Sequence, residues 1–286
     1  MNLSRTDLAV ETAEALPTGR DIFAPGTGVT KSECLLCGCP VTRIHVHTPA
    51  GARAIGKPEG RYITIDLRPA LSRQEALTGR AALCLCRELR ALLPPPSDGP
   101  ALVVGLGNDA MTPDAVGAAA LEHLLVTRHM VRSMPAQFGQ FTPVSALCTG
   151  VLAQTGLETL ELVQAAAQRV KPAAVIAIDA LAARSRHRLC ATVQLGDTGL
   201  IPGSGVGNHR RAIDRAALGV PVIAIGVPTV IDGAALRDED APPSGLFVTP
   251  QDIDHRVREL GRLIGMGVTL ALQPNLTLED VNALTG

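Results

Sequence analysis

Two aspartates stand where a carboxylate needs a reason. Asp179 closes the apolar run Val175-Ile-Ala-Ile178, and an ionised carboxylate there is costly unless it is paired or hydrogen-bonded. Asp114 follows Thr112-Pro113, just after the turn Gly105-Leu-Gly-Asn108. Each also has a plain structural reading. Asp179 suits the N-cap of a helix opening at Ala180-Leu-Ala-Ala183, and Asp114 suits a first helical turn, near the positive end of the dipole. As a pair they suggest acid–base work. Two carboxylates in one crevice cannot both ionise cheaply, so one pKa rises and the pair holds a proton near neutral pH. The ionised member then activates water, while the protonated member donates to a scissile carbonyl or its leaving nitrogen.

Other residue types offer less. Asp197 precedes the glycine-rich stretch Pro202-Gly-Ser-Gly-Val-Gly-Asn208. Its backbone N–H groups suit close approach to a peptide or an oxyanion, a surface turn being the bland alternative. The stretch lacks the Gly-Lys-Ser/Thr ending of a phosphate-binding loop. Asn108, Asp197, Gly203, Ser204, Gly205 and Asn208 are the residues expected to shape a substrate cleft. Ser185 and Ser204 lie outside any Gly-x-Ser-x-Gly elbow, and His187 and His209 sit in Arg-rich stretches, so a serine hydrolase is weakly supported. Cys34, Cys37 and Cys39, with Cys84 and Cys86 further on, have zinc-like spacing but no His-x₃₋₅-His partner, and free thiols are the default.

The elements that must position these groups follow from periodicity. Ala101–Gly105, Val144–Leu147, Ala173–Ile178, Ala191–Leu195 and Val220–Ile225 read as strands. Helical spacing covers Leu71–Leu93 (ended by Pro94-Pro-Pro96), Asp114–Val126, Thr155–Val170 and Gln251–Leu272, the last with Thr249-Pro250 as its capping signal. Thr155 with Glu158 fits a capping box. Strands alternating with helices indicate an α/β fold, and unbroken apolarity in three of the strands suggests cover on both faces. The site then belongs in the crevice beyond the carboxyl ends of the strands. Three loops fall there: 105–114, 178–185 and 196–208. Residues 1–60, punctuated by Gly and Pro, read as loosely packed, and the core as 100–275.

Composition sets the bounds. The chain has 286 residues, 46% hydrophobic and 19% charged, with 2% aromatics and no Trp, so a folded chain with an aliphatic core is expected. A formal net charge of -1 argues against a nucleic-acid surface spread over the molecule. No apolar run reaches the roughly 20 residues that span a bilayer, and the N-terminus lacks a secretory pattern. A cytosolic protein whose seven cysteines are free thiols is expected.

Several long strings also resemble one family. Arg5-Thr-Asp-Leu-Ala-Val-Glu11, Gly105-Leu-Gly-Asn108, Thr112-Pro-Asp-Ala115 and Val175-Ile-Ala-Ile-Asp-Ala-Leu-Ala-Ala-Arg-Ser185 look like the germination protease of spore-forming bacteria. So do Asp197-Thr-Gly199, Pro202–Asn208 and Val222-Ile-Ala-Ile-Gly-Val-Pro-Thr-Val230. The resemblance is nearly continuous from about 100 to 235, with a separate N-terminal match. It implies an endopeptidase that degrades small acid-soluble spore proteins at germination. The implied fold is a three-layer α/β sandwich like that of hydrogenase-maturation proteases (phosphorylase/hydrolase-like), and the implied assembly is a homotetramer made as an inactive zymogen.

The family's two essential aspartates fall on Asp114 and Asp179, and its self-cleavage falls between Asp7 and Leu8. That leaves a propeptide 1–7 and a single peptidase domain 8–286, divided into an N-terminal segment 8–99 and an α/β core 100–286. Thr6–Glu11 also resembles the site cut in the spore proteins. Spore proteins as substrate, no direct nucleic-acid contact, no membrane and the cytoplasm of the forespore or spore core complete the expectation. No cofactor is implied, although a divalent ion held by the same aspartates is one alternative and a non-catalytic peptide-binding module is another. The chain departs from the family's pattern in two places: between about 235 and 248 it has only Arg237–Ser244 where Bacillus-type members carry a long insertion, and it carries the Cys34–Cys39 cluster.

Overall fold

The computed structural model describes residues 6–16, 22–71, 77–95, 99–206, 210–239 and 241–285. Among them nine strands form one sheet: β1 (Val29–Leu36), β2 (Cys39–Val46), β3 (Gly60–Asp66), β4 (Ala101–Gly105), β5 (Val144–Cys148), β6 (Ala174–Ala183), β7 (Thr192–Gly196), β8 (Val222–Asp232) and β9 (Phe247–Val248). Their order is β1-β2-β3-β7-β8-β6-β4-β5, with β9 paired to β8. The unbroken apolar runs β4, β6 and β8 lie inside and run parallel, with β5 parallel beside β4. Parallel strands covered on both faces carry apolar residues at consecutive positions, as these do. The half from β1 to β7 is antiparallel.

Each face has its own cover. On one, Val103, Ile176, Leu195 and Ile225 pack against helices Leu77–Arg90, Val116–Glu122 and Ile253–Leu272. On the other, Val104 and Val175 meet Leu160 and Val163 of helix Thr159–Val170. Further along that face, Ile44, Tyr62 and Ala183 meet helices Ala9–Glu14 and Pro49–Ile55. The result is the expected α/β sandwich of three layers. Helix Ile253–Leu272 approaches its neighbours closely because its contact face is small. A Cβ added at Gly265 would stand 2.5 Å from the Ala120 carbonyl oxygen.

Several expectations are corrected. Residues 1–60 are not loosely packed in their described part. They supply β1, β2 and two helices, and Leu8, Ala9 and Ile55 are almost wholly buried. A fully buried Leu or Ile side chain contributes roughly 1.5–3 kcal/mol, enough to hold a short helix on the sheet. The core accordingly extends outside 100–275, with Val41, Ile63 and Leu85 in its largest cluster. Asp179 does not cap a helix, because β6 continues through it to Ala183. The 114–126 helix shortens to Val116–Glu122, preceded by a 3₁₀ turn Thr112–Asp114. Thr155 ends a separate short helix, its hydroxyl accepting from Leu157 N–H at 3.2 Å. The next helix starts at Thr159, and the Glu161 side chain accepts from Glu158 N–H. The last long helix begins at Ile253, with Asp252 at its N-cap.

One mismatch in length creates the crevice. β4 stops at Gly105 opposite Ile178, whereas β6 runs on against β8 for five more residues. Beyond Ile178 the sheet loses a strand, and the loops gather there.

Candidate active site

Asp179 is the first residue of β6 beyond the end of β4. It points to the same face as Val175 and Ala177, because side chains alternate along a strand. It is only 6% exposed, and one carboxylate oxygen accepts from Ala180 N–H at 2.9 Å. Burial holds its pKa well above the ordinary carboxylate range, and the nearby charges of Asp114 and Asp7 push it further, against the Ala180 N–H.

Asp114 reaches the same place by a tight return of the chain. Leu106 N–H donates to Ile178 O at 2.9 Å, fixing the exit from β4 beside Asp179. The loop then doubles back so closely that a Cβ on Gly107 would lie 2.0 Å from the Asp114 carbonyl oxygen. Gly107 also has φ +96, a conformation that only glycine adopts freely. The Asp114 carboxylate accepts from Asn108 N–H at 2.7 Å. Burial raises its pKa and that N–H opposes the rise. Two neighbouring acids with raised pKa values are the arrangement in which one proton is shared.

The third acid here is Asp7, from the N-terminal segment. Its carboxylate accepts from Ser204 Oγ at 2.7 Å and from Ala182 N–H at 2.9 Å. A Cβ on Gly205 would lie 2.1 Å from that carboxylate, so the glycine makes room for it. Asp7 N–H donates to Ala182 O at 3.1 Å. Its carbonyl oxygen accepts from Lys57 Nζ at 2.9 Å and from Gln194 Nε2 at 3.0 Å. Since β6 and β7 flank β8 in the sheet, the segment lies across the face of β8. Four residues on, Glu11 is seated as firmly. Its carboxylate accepts from Arg184 N–H at 2.7 Å and Ser185 N–H at 2.9 Å, and from the Thr6 hydroxyl, with Arg188 at 3.7 Å. Burial raises its pKa, and these donors oppose that rise.

Together these groups line a cleft with two lobes, of about 510 and 430 Å³, joined at Asp7 and Asp179. Asn108 and Asp114 border the first lobe, Lys57 and Gln194 the second, and Gly203 and Gly205 both. Of the expected cleft residues, Asn108, Gly203, Ser204 and Gly205 are therefore found at the site. Asn208 lies outside the described residues. Asp197 is turned away: its carboxylate is held by Arg61, through backbone N–H and Nε at 2.7 Å each, and its neighbours Thr198 and Gly199 line the cleft instead. Ser185 contributes its backbone N–H, His187 is exposed, and His209 is among the residues not described.

All seven cysteines are free. Cys39 lies beside Cys84 in the core, while Cys34 is exposed on β1. Among the described residues no group of three or more His, Cys, Asp or Glu is arranged to hold a metal ion. Among the described residues no helix is long and apolar enough to cross a membrane. Sequence reasoning misses Lys57 and Gln194, since neither lies in a recognisable motif; it has Glu11 and Arg184-Ser185 in two separate strings, but not their contact. A faint signal was present for Lys57: the cations of this chain are nearly all Arg, with Lys31, Lys57 and Lys171 the exceptions.

Residues 9–241 match the family model described as germination protease. A germination protease of Clostridium perfringens (strain ATCC 13124) is 35% identical over a 318-residue alignment, covering 97% of this chain and 98% of that protein. One from Caldanaerobacter subterraneus subsp. tengcongensis is 39% identical, with 98% and 97% covered. One from Bacillus subtilis (strain 168) is 37% identical, with 98% of this chain but 76% of that longer protein covered. Among solved structures, a [NiFe] hydrogenase maturation protease, HycI, from Thermococcus kodakarensis KOD1 overlaps with TM-score 0.37 and 18% identity, over 63% of this chain and 98% of that one.

Proposed function

This chain belongs to the germination protease family, and from that premise we propose that it is a spore-germination endopeptidase acting through Asp114 and Asp179 on small acid-soluble spore proteins. One observation carries the reading. A buried carboxylate and a half-buried one line the same lobe of the cleft at the open end of the sheet, and burial raises the pKa of both. Asp179, the more buried, is the member that keeps its proton. Asp114, steadied by Asn108 N–H, is the member that ionises and takes a proton from water. Water adds to the scissile carbonyl, Asp179 gives its proton to the leaving nitrogen, and the products are a carboxylic acid and an amine.

The same reading makes the N-terminus a tethered pseudo-substrate, present at high effective concentration. Thr6–Leu8 has no helical structure, Asp7 pairs with β6, and the carboxylates of Asp7 and Glu11 each occupy a fitted seat. Cleavage between Asp7 and Leu8 would free the groove for a spore-protein segment with acids at the same spacing.

The test is incubation of the purified protein with a spore-protein peptide containing a Glu-aliphatic bond, alongside Asp114→Asn and Asp179→Asn. Each substitution is expected to lower the rate of peptide cleavage by roughly 10²–10⁴-fold and to abolish loss of residues 1–7, read by mass spectrometry. Full proteolysis by either variant would reject the assignment.

A further inference from the structure

The carbonyl oxygen of Asp7 has two partners, and both are side chains. Lys57 Nζ stands at 2.9 Å and Gln194 Nε2 at 3.0 Å. A strand carbonyl is satisfied by one backbone N–H. This one instead meets an ammonium and an amide, donors reaching in from the loop before β3 and from β7. The amide is aimed. Gln194 Oε1 accepts from Ala9 N–H at 2.7 Å, which turns Nε2 toward the Asp7 oxygen. Gln194 and Asp179 are both register partners of Gly226 on β8, so they share one row on one face, about 10 Å apart as two strand spacings require. The residue between them has no side chain, and the Leu181 side chain packs over it. Asp7 bridges the flanking strands, its N–H donating to Ala182 O of β6 and its carbonyl oxygen accepting from Gln194 of β7. The donors approach the Asp7 carbonyl from the β7 side, and Asp179 lines the same lobe of the cleft from the β6 side.

We propose that Lys57 and Gln194 are catalytic residues that grip the carbonyl oxygen of the bond to be cut and take up the negative charge that develops there. This rests on the reading of Asp7–Leu8 as the scissile bond. As water's oxygen bonds to the Asp7 carbonyl carbon, one proton passes to the ionised aspartate and the π pair moves to the oxygen held by Lys57 and Gln194. When that pair returns, the bond to Leu8 nitrogen breaks and the nitrogen takes the proton of the protonated aspartate. One water is consumed, one carboxyl and one amine are formed, and nothing is oxidised or reduced. A cation and a fixed amide bind an oxyanion more strongly than a neutral carbonyl, so they favour the transition state over the bound peptide. The Lys57 ammonium is turned inward, toward Asp7. Burial lowers its pKa, and the charges of Asp7 and Glu11 oppose that and favour the cation. The Asp7 carbonyl is its hydrogen-bonded target, and a solvated surface role does not fit that contact. The same two donors would take the carbonyl of a substrate cut in trans.

The experiment uses the full chain with Lys57→Met and Gln194→Glu. Gln194→Glu keeps the shape and the oxygen that accepts from Ala9 N–H, but replaces the donor. The first-order loss of residues 1–7 is followed by mass spectrometry, and kcat and KM are measured on the Glu-aliphatic peptide. Each variant is expected to lose roughly 10²–10³-fold in self-cleavage rate and in kcat, with KM changed little and the thermal midpoint retained by Gln194→Glu. Wild-type kcat in Gln194→Glu, or a change confined to KM, would overturn the inference and leave the aspartate reading standing. Wild-type protein that cuts itself at another bond would overturn the Asp7–Leu8 reading and this inference with it. That outcome is distinguished by the mass of the released fragment.

Discussion

At the residue scale the decisive feature is a carboxylate kept in a place that disfavours its charge. The folded protein holds the Asp179 proton more tightly than the unfolded chain does, chiefly because the group is buried. Stability from such a raised group is fully present below the unfolded value, and it declines as pH rises through the folded one. Asp179→Asn removes the charge and keeps the shape. It should match the wild type in acid and become the more stable protein as pH climbs above the ordinary carboxylate range. A midpoint roughly 2 °C or more higher at pH 8 is expected, read from thermal unfolding of both proteins across pH. Equal midpoints at every pH would mean that Asp179 is not strained by its surroundings. The sequence made Asp179 conspicuous, because an acid closing Val175-Ile-Ala-Ile178 is costly unless it is paired or hydrogen-bonded. It could not separate a helix cap from a strand residue, since Ala180-Leu-Ala-Ala183 suits either, and only pairing with β8 resolves the choice.

At the element scale, positions follow from which segments end early and which come close. β6 outruns β4, and that surplus exposes Asp179 to the loop bearing Asp114. Behind the sheet, helix Ile253–Leu272 seats on helix Val116–Glu122 through glycine. Gly265→Val should therefore force the two apart, because its Cβ would meet the Ala120 carbonyl oxygen at 2.5 Å and His123 Cβ at 2.8 Å. Overpacking of this kind costs typically 1–3 kcal/mol. A lower urea midpoint with an unchanged slope is the expected signature. Strand existence was legible throughout 100–232, whereas helix starts slipped by two to four residues at Thr159, Ile253 and Val116. The reason is local. Thr155 accepts from Leu157 N–H, Thr112 opens a 3₁₀ turn, and Asp252 pairs with Arg256 rather than capping, so nothing in the local sequence fixes one start point.

At the scale of the whole molecule, the N-terminal segment is a working part of the fold. Leu8 and Ala9 are buried, while Asp7 occupies the groove. A chain beginning at Leu8 keeps the buried anchor and vacates the groove, so it should cleave the spore-protein peptide without a lag. The check is a progress curve against the full-length protein, and an inert truncated chain would count against the zymogen reading. By itself the sequence determined that the chain is an α/β fold with three strands covered on both faces and that Asp114 and Asp179 stand near strand ends; that these strands are β4, β6 and β8, inside the sheet, came from the structure. Both are properties of short windows, because burial on two faces demands unbroken apolar runs. Only the tertiary structure decided that Lys57 and Gln194, 50 and 187 positions from Asp7, converge on its carbonyl. It alone decided, too, that Asp197 belongs to Arg61 rather than to the cleft. Those neighbours are set by the order β3-β7-β8-β6, and strand order is a property of the whole packed sheet that no local stretch of chain encodes.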